Sequence, residues 1–134
     1  MDDIRFFRPE GLFQSPVYSH AVSIPPDATV IHVGGQNAVD ADGNLVGGDD
    51  IAAQVRQVMR NVETALAAAG ASVADAFSWT IFIVDGVDLE AAYSAAAPAF
   101  DTDRDPPLVT AAKVAGLGLP GALVEVAATA AVRR

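Results

Sequence analysis

The sequence contains no cysteine among its 134 residues. Without thiols the chain forms no disulfide bond, and it offers no cysteine nucleophile and no thiolate ligand for zinc or iron–sulfur clusters. Basic residues are also scarce, with eight Lys and Arg against 17 Asp and Glu and a formal net charge of -9 at pH 7. Proteins that bind nucleic acids or anionic membranes attract phosphate groups with basic side chains. The composition therefore argues against both kinds of partner.

Long apolar runs and targeting segments are missing as well. The opening residues, MDDIRFFRPEGLFQSP, have no basic start followed by an apolar run, and so do not resemble a signal peptide. We find no uninterrupted apolar stretch long enough to cross a bilayer, and we expect a soluble, cytoplasmic protein. Hydrophobic residues nevertheless make up 51% of the chain, which is typical of a globular domain with a packed core.

The first half of the chain predicts an arm followed by a hairpin. Residues 1–16 carry two prolines and little periodicity, and they predict an irregular N-terminal arm. VYSHAVSI at 17–24 and TVIHVGG at 29–35 read as strands, and the PPDA between them predicts a turn that pairs the two. DADGNLVGGDD at 40–50 is a turn-rich loop. It resembles the start of a calcium loop, but Ile51 stands where the twelfth-position glutamate is needed, so we expect a simple turn.

The second half predicts two helices and three strands. Apolar residues recur every three or four positions after Asp49 or Asp50, and Gly70 closes this helix. The remaining segments are a strand at 76–86, an alanine-rich helix at 88–100, and strands LVTAAKV at 108–114 and LVEVAATAAV at 123–132. The order ββαβαββ predicts one α+β domain over residues 1–134, with the helices on one face of a mixed sheet. The other face is apolar and uncovered, so we expect a closed oligomer.

Polar residues inside apolar strands are the candidates for chemistry, because burying them costs free energy unless they are paired. Glu125 lies in LVEVAA and is either a general acid or base that holds a water, or a structural residue. In the second case it pairs with Lys113 or an arginine across a subunit contact, or accepts hydrogen bonds from backbone amides. His20 and His32 could face each other on the hairpin. No third ligand is fixed, however, so we expect no metal ion. The glycines of VGGQ allow close approach to a ligand or to another strand.

In sequence order these segments resemble the Rid family, the YjgF-type reactive-intermediate deaminases that are also labelled endoribonuclease L-PSP. YSHAV is similar to the family's Tyr-Ser-Gln-Ala-Val, and VGGQNAVDADGNLVGGDDIAAQVRQVMRNVETALAAAGAS to its Ser-Gly-Gln strand, loop and Gln…Asn helix. FSWTIFIVDGVDLEAAYSAAAPAF and LVEVAATAAV resemble the strand, helix and final strand that follow. The resemblance runs from about Tyr18 to the last residues, over more than 110 positions.

The resemblance implies a chorismate-mutase-like fold and a homotrimer with a small-molecule cleft between neighbouring subunits. The best-known family members hydrolyse imines and enamines without a cofactor. Residues at matching positions would line the cleft, and Glu125 would activate water there. The other implied positions are Tyr18, His20, Gly34, Gly35, Tyr93, Val109 and Thr110.

Several of these positions depart from the family pattern. The deaminases read Pro-Ala-Arg-Ser/Thr where this chain has Pro107, Leu108, Val109 and Thr110, so Val109 replaces the arginine that grips the substrate carboxylate. Gly34 replaces a serine, Tyr93 an asparagine and His20 a glutamine.

Three functions follow from this resemblance and these departures. The first is a divergent enzyme that is not a standard 2-iminoacid deaminase, and the second is a metabolite-binding trimer without catalysis. The third, an endoribonuclease, fits poorly with the acid excess.

Overall fold

The computed structural model describes residues 3–101 and 103–133. Over these residues a four-stranded sheet carries two α-helices on one face, and a small two-stranded ribbon precedes it. The elements are β1 Arg5–Phe7, β2 Ala21–Ser23, β3 Ala28–Gln36, α1 Ile51–Ala68, β4 Ala76–Val84, α2 Leu89–Ala96, β5 Leu108–Val114 and β6 Val124–Arg133. The sheet order is β3-β6-β4-β5, in which only β4 and β5 are parallel. The predicted α+β class with a mixed sheet is confirmed.

Helix α1 supplies most of the core opposite β6 and β3. Asp50 caps its first turn, because the carboxylate accepts a hydrogen bond from the Ala53 amide, and Gly70 with φ +82° ends it. Both ends agree with the sequence prediction. The buried stripe runs down one side of the helix as Ile51, Val55, Val58, Met59, Val62 and Leu66.

Helix α2 is shorter than the predicted 88–100. It ends at Ala96, and a 3₁₀ turn over Ala97–Ala99 contains Pro98, whose ring cannot continue an α-helical ladder. The chain then brings Phe100 edge-on to Trp79 of β4, with ring centroids 5.2 Å apart. This contact closes the core at the end of the sheet where β5 begins.

The predicted hairpin between residues 17–24 and 29–35 is wrong. β2 has three residues and pairs with β1 in the arm, whereas β3 pairs with β6. Pro25 and Pro26 lack amide hydrogens for a tight hairpin, and β6 offers β3 a much longer ladder. Residues 1–16 are therefore not irregular throughout, since β1 lies within them. His20 and His32 do not face each other across a hairpin.

The loop after β3 is a turn, as predicted. The Asp40 side chain accepts hydrogen bonds from the amides of Asp42 and Asn44, at 2.9 and 3.0 Å. Gly43, with φ +85°, makes the left-handed corner.

The two faces of the sheet differ sharply in burial. Along β6, residues Val124, Val126, Ala128 and Ala130 are buried under the helices, and the residues between them stay partly exposed. We call the second side the open face; its members include Thr80, Phe82, Thr110, Ala112, Glu125, Ala127 and Thr129. In a single chain the open face has no covering layer, as the sequence predicts. In the part of the chain that the structure describes, the helices are too short or too polar to cross a membrane.

Candidate functional site

Glu125 lies on the open face, near the start of β6, with its carboxylate held on two sides. A Cβ placed on Gly35 would stand 2.7 Å from Oε2 and 2.9 Å from Cδ of Glu125, so the side chain lies directly against the Gly35 backbone. On the other side, Asn37 Nδ2 is 3.4 Å from Oε1 of Glu125. The same nitrogen donates to the Val124 carbonyl at 3.2 Å. As a residue, Glu125 is half-buried.

The pairing of Glu125 with Lys113 does not form within the chain. In the register of β4 and β5, Lys113 is opposite Ile83, whose side chain is in the core under the helices. Glu125 is opposite Phe82, on the other face. Within residues 3–101 and 103–133 the ion pairs are formed by Arg104 and Arg133. The polar partner of Glu125 in the chain is therefore an uncharged amide.

Asn37 and Asn61 are polar residues of this site that sequence reasoning missed. Asn61, on α1, donates to the carbonyls of Asn37 and Val39 at 3.0 and 2.9 Å, and so fixes the segment that carries the Asn37 side chain. A pattern in the sequence points to this role: Gln54, Gln57 and Asn61 follow each other at helical spacings beside the apolar stripe. Polar residues next to a buried stripe are expected to reach for backbone groups of neighbouring segments.

Gln54 makes the other long-range connection from α1. It is fully buried, and its amide donates to the carbonyls of Gly48 and Gly121 at 2.6 and 3.0 Å. Its carbonyl oxygen accepts from the Leu123 amide at 2.9 Å. One side chain thus joins the loop before α1 to the turn that leads into β6 and Glu125.

Tyr18 and His20 are brought next to the strand that carries Val109 and Thr110. Their rings meet edge to face, with centroids 5.4 Å apart and planes at 84°. The residue between them is anchored, because Ser19 donates its amide to the Pro107 carbonyl at 2.9 Å and its hydroxyl to the Pro106 carbonyl at 2.6 Å. His20 also lies 2.7 Å from the Phe13 carbonyl through Nε2.

Val109 and Thr110 lie on opposite faces of the sheet. Val109 is opposite Trp79, on the helix side, and is 40% exposed at the sheet edge. Thr110 is opposite Thr80 on the open face, which it shares with Glu125. Two strand spacings and two residues along the sheet separate Thr110 from Glu125, or about 12 Å between Cα atoms.

The remaining predicted positions lie apart from these groups. Tyr93 projects from α2 and is 65% exposed. Gly34 is in β3 with open space where a Cβ would stand, in contrast to Gly35. In one chain the predicted residues therefore form three groups: Glu125 with Gly35, Tyr18 and His20 beside the start of β5, and Tyr93 on α2. A cleft that includes all of them needs more than one copy of the chain.

Comparison with known proteins gives one family. The family model described as Endoribonuclease L-PSP matches residues 13–132. The crystal structure of YyfB, a protein of unknown function of the Rid family from Yersinia pestis, is 33% identical with a TM-score of 0.81, and the match covers 96% of this chain and 98% of that one. A YjgF/YER057c/UK114-family protein from Mycobacterium tuberculosis is also 33% identical, with a TM-score of 0.63 and coverages of 97% and 100%. YyfA, also from Yersinia pestis, is 30% identical with a TM-score of 0.70, covering 86% and 87%.

Proposed function

The chain belongs to the endoribonuclease L-PSP family, whose members are also called Rid or YjgF proteins, and from this we propose that it is a divergent imine hydrolase. Its substrate is an imine, an enamine or a related small molecule without the usual carboxylate. The reaction takes place in a cleft between subunits of a homotrimer and needs no cofactor. The observation that carries this proposal is the carboxylate of Glu125, fixed between Gly35 and Asn37 on the open face.

The separation of the site residues within one chain supports an assembly. Val109 and Glu125 lie on opposite faces of the same sheet, and a ligand cannot touch both in a single copy. The open face exposes apolar and small side chains that a neighbouring subunit would bury. An arrangement in which the edge of β5 in one subunit meets the open face of the next would let both groups line one cleft.

The chemistry requires one fixed base and one water. Glu125 accepts a proton from the water as the oxygen adds to the carbon of the C=N bond and passes that proton to the nitrogen, which gives a neutral carbinolamine. Glu125 then transfers the hydroxyl proton to the nitrogen, the C–N bond breaks, and ammonia or an amine leaves as the carbonyl compound forms. An enamine first takes a proton on carbon to become the imine. A carboxylate held in one orientation lowers the entropic cost of the first step.

Val109 sets the limit on the substrate. An arginine at this position would bind a carboxylate through two parallel hydrogen bonds, and valine has no donor. Lys113 is on the same face but four residues along β5, roughly 13 Å away. The rings of Tyr18 and His20 beside the strand favour an uncharged, partly apolar ligand.

Two imines made in the assay distinguish the substrate classes. An amino-acid oxidase supplies a 2-imino acid and a monoamine oxidase supplies an imine without a carboxylate, and the carbonyl product is followed above the uncatalysed rate. We expect acceleration with the second imine and little with the first. Glu125→Gln should abolish turnover while gel filtration still shows the trimer. Faster hydrolysis of the 2-imino acid alone would contradict the proposal that Val109 disfavours substrates with a carboxylate.

A protein that binds a metabolite without catalysis is the second candidate, because Val109 has removed a main polar group of the family's site. It predicts no turnover of either imine, and Glu125→Gln then changes ligand affinity or stability only. Ribonuclease activity, which the family description names, fits poorly with the net charge of -9. Genuine activity of that kind would follow the protein peak through gel filtration.

A further inference from the structure

We propose that Asn37 is the positioning residue for Glu125, and that α1 sets the orientation of Asn37 through Asn61 and Gln57. The inference rests on the proposed function, because Glu125 needs a defined orientation only if its carboxylate holds the reacting water. It adds residues that act on the carboxylate from a loop and a helix and that touch no substrate themselves.

The first step is the contact between Asn37 and β6. Asn37 Nδ2 carries two hydrogens, and its neighbours are the Val124 carbonyl at 3.2 Å and Glu125 Oε1 at 3.4 Å. Because the carbonyl precedes Glu125 in the same strand, the amide ties the carboxylate to the backbone of its own strand. Gly35 bounds the other oxygen, so the carboxylate is confined from two directions.

The second step is the attachment of Asn37 to α1. Asn61 Nδ2 donates to the carbonyls of Asn37 and Val39, which holds the backbone on both sides of Ala38. Ala38 itself is fully buried. The loop that carries the Asn37 side chain is therefore fixed by a helix that reaches the site from the opposite face of the sheet.

The third step is the direction of the amides. Gln57 Nε2 donates to Asn61 Oδ1 at 2.9 Å, so the Asn61 nitrogen must face the two carbonyls. Arg60 donates to Gln57 Oε1 at 2.7 Å and fixes the Gln57 amide in the same way. Each donor in the series therefore meets an acceptor: Arg60 donates to Gln57, Gln57 to Asn61, and Asn61 to the Asn37 carbonyl. Such a supporting layer is what keeps a catalytic group in one geometry.

The variant that tests this role is Asn37→Asp, which keeps the shape of the side chain but replaces the donor by an oxygen that repels the carboxylate. Asn44→Asp is the matched control, because it makes the same change of charge in an exposed turn. With the carboxylate-free imine as substrate, we expect Asn37→Asp to lower kcat about 10- to 100-fold, since small displacements of reacting groups cost this much. KM should stay within about threefold, because the ligand itself is not touched. Asn44→Asp should match the unchanged protein.

A spectroscopic measurement decides the contact without any substrate. The side-chain amide signals of Asn37 are assigned in a ¹H–¹⁵N spectrum by their loss in Asn37→Asp. In the unchanged protein, we expect one of the two amide protons to resonate downfield of an ordinary asparagine side-chain proton. This difference should disappear in Glu125→Ala and persist in the control Glu90→Ala. The proposal is overturned if the chemical shifts of the Asn37 amide are the same in Glu125→Ala as in the unchanged protein. It is also overturned if a folded Asn37→Asp variant has an unchanged kcat. If the unchanged protein hydrolyses neither imine, the proposed function fails, and the spectrum alone decides the positioning role.

Discussion

Glu125 lies so close to Gly35 that no larger residue fits at position 35 without moving the carboxylate. A Cβ there would be 2.7 Å from Oε2, 2.9 Å from Cδ and 3.1 Å from Cγ. The adjacent Gly34 has nothing within 4 Å of the same point. Neither glycine adopts a positive φ, so alanine at either position is compatible with the backbone. The two neighbours therefore separate steric contact with Glu125 from any general effect of losing a glycine.

Gly35→Ala should displace the Glu125 side chain and Gly34→Ala should not. We expect Gly35→Ala to lower the free energy of unfolding by about 1 kcal/mol through overpacking, and to lower imine hydrolysis as strongly as removal of the Asn37 donor does. Gly34→Ala should leave the free energy of unfolding unchanged, because nothing lies within 4 Å of the added Cβ. Thermal unfolding, kinetics and a crystal structure of each variant provide the measurement. In a Glu125→Ala background, Gly35→Ala should no longer lower the free energy of unfolding. A loss of stability that persists would mean that the added methyl group clashes with a residue other than Glu125.

The anchor of the Tyr18–His20 segment gives a second prediction. Ser19→Ala removes a hydroxyl that is buried and donates to the Pro106 carbonyl at 2.6 Å. We expect a loss of about 1–2 kcal/mol in stability, with faster hydrogen exchange of the Ser19 and His20 amides. Ser23→Ala, on the exposed strand β2, is the control and should change neither. Unchanged exchange in Ser19→Ala would mean that the main-chain bond to Pro107 holds the segment alone.

Gln54 should contribute more to stability than any other polar side chain of α1. Gln54→Met keeps the volume but leaves two carbonyls and the Leu123 amide without their buried partner. We expect a loss of about 3 kcal/mol, measured by urea denaturation. Gln14→Met makes the same replacement on the exposed arm and should stay within about 0.5 kcal/mol of the unchanged protein. Equal effects of the two variants would rule out the structural role of Gln54.

Val109→Arg tests whether the valine at this position limits the hydrolysis of substrates that carry a carboxylate. Val109→Arg should raise hydrolysis of the 2-imino acid about 10-fold or more and leave hydrolysis of the carboxylate-free imine no faster. Val109→Lys supplies the charge without the two parallel donors and should raise it less. The rates of both variants with both imines are the measurement. No gain with arginine would mean that position 109 does not face the ligand.

The sequence predicted those elements whose causes are local. The Asp50 cap and the Gly70 end each depend on one residue and its immediate neighbours, and each was found where expected. The wrong hairpin had a different cause. Two short strands separated by PPDA look like partners along the chain, and only the position of β6, about a hundred residues later, shows which strand occupies the place beside β3.

The candidate site was predicted less completely for the same physical reason. Glu125 stood out because a charged residue in an apolar strand is costly without a partner. Its partner Asn37 lies 88 residues earlier in the chain and follows a strand end, where asparagine is common for reasons unrelated to function. A hydrogen bond between residues so far apart in the chain leaves no pattern in the spacing or periodicity of the sequence. Contacts of this kind become visible only once the sheet register is known.

The position of β6 between β3 and β4 has a consequence for how the protein is made. It is the last strand of the sheet to leave the ribosome, and until then β3 has no partner in this sheet and β4 is paired on one side only. During synthesis α1 has no β6 to pack on, so the nascent chain cannot close its core until residues 124–133 emerge. A ribosome that stalls late would release a chain with unpaired strand edges, a substrate for chaperones and for aggregation. The strand that completes the fold also delivers Glu125, so this protein gains its stability and its proposed catalytic group in one step.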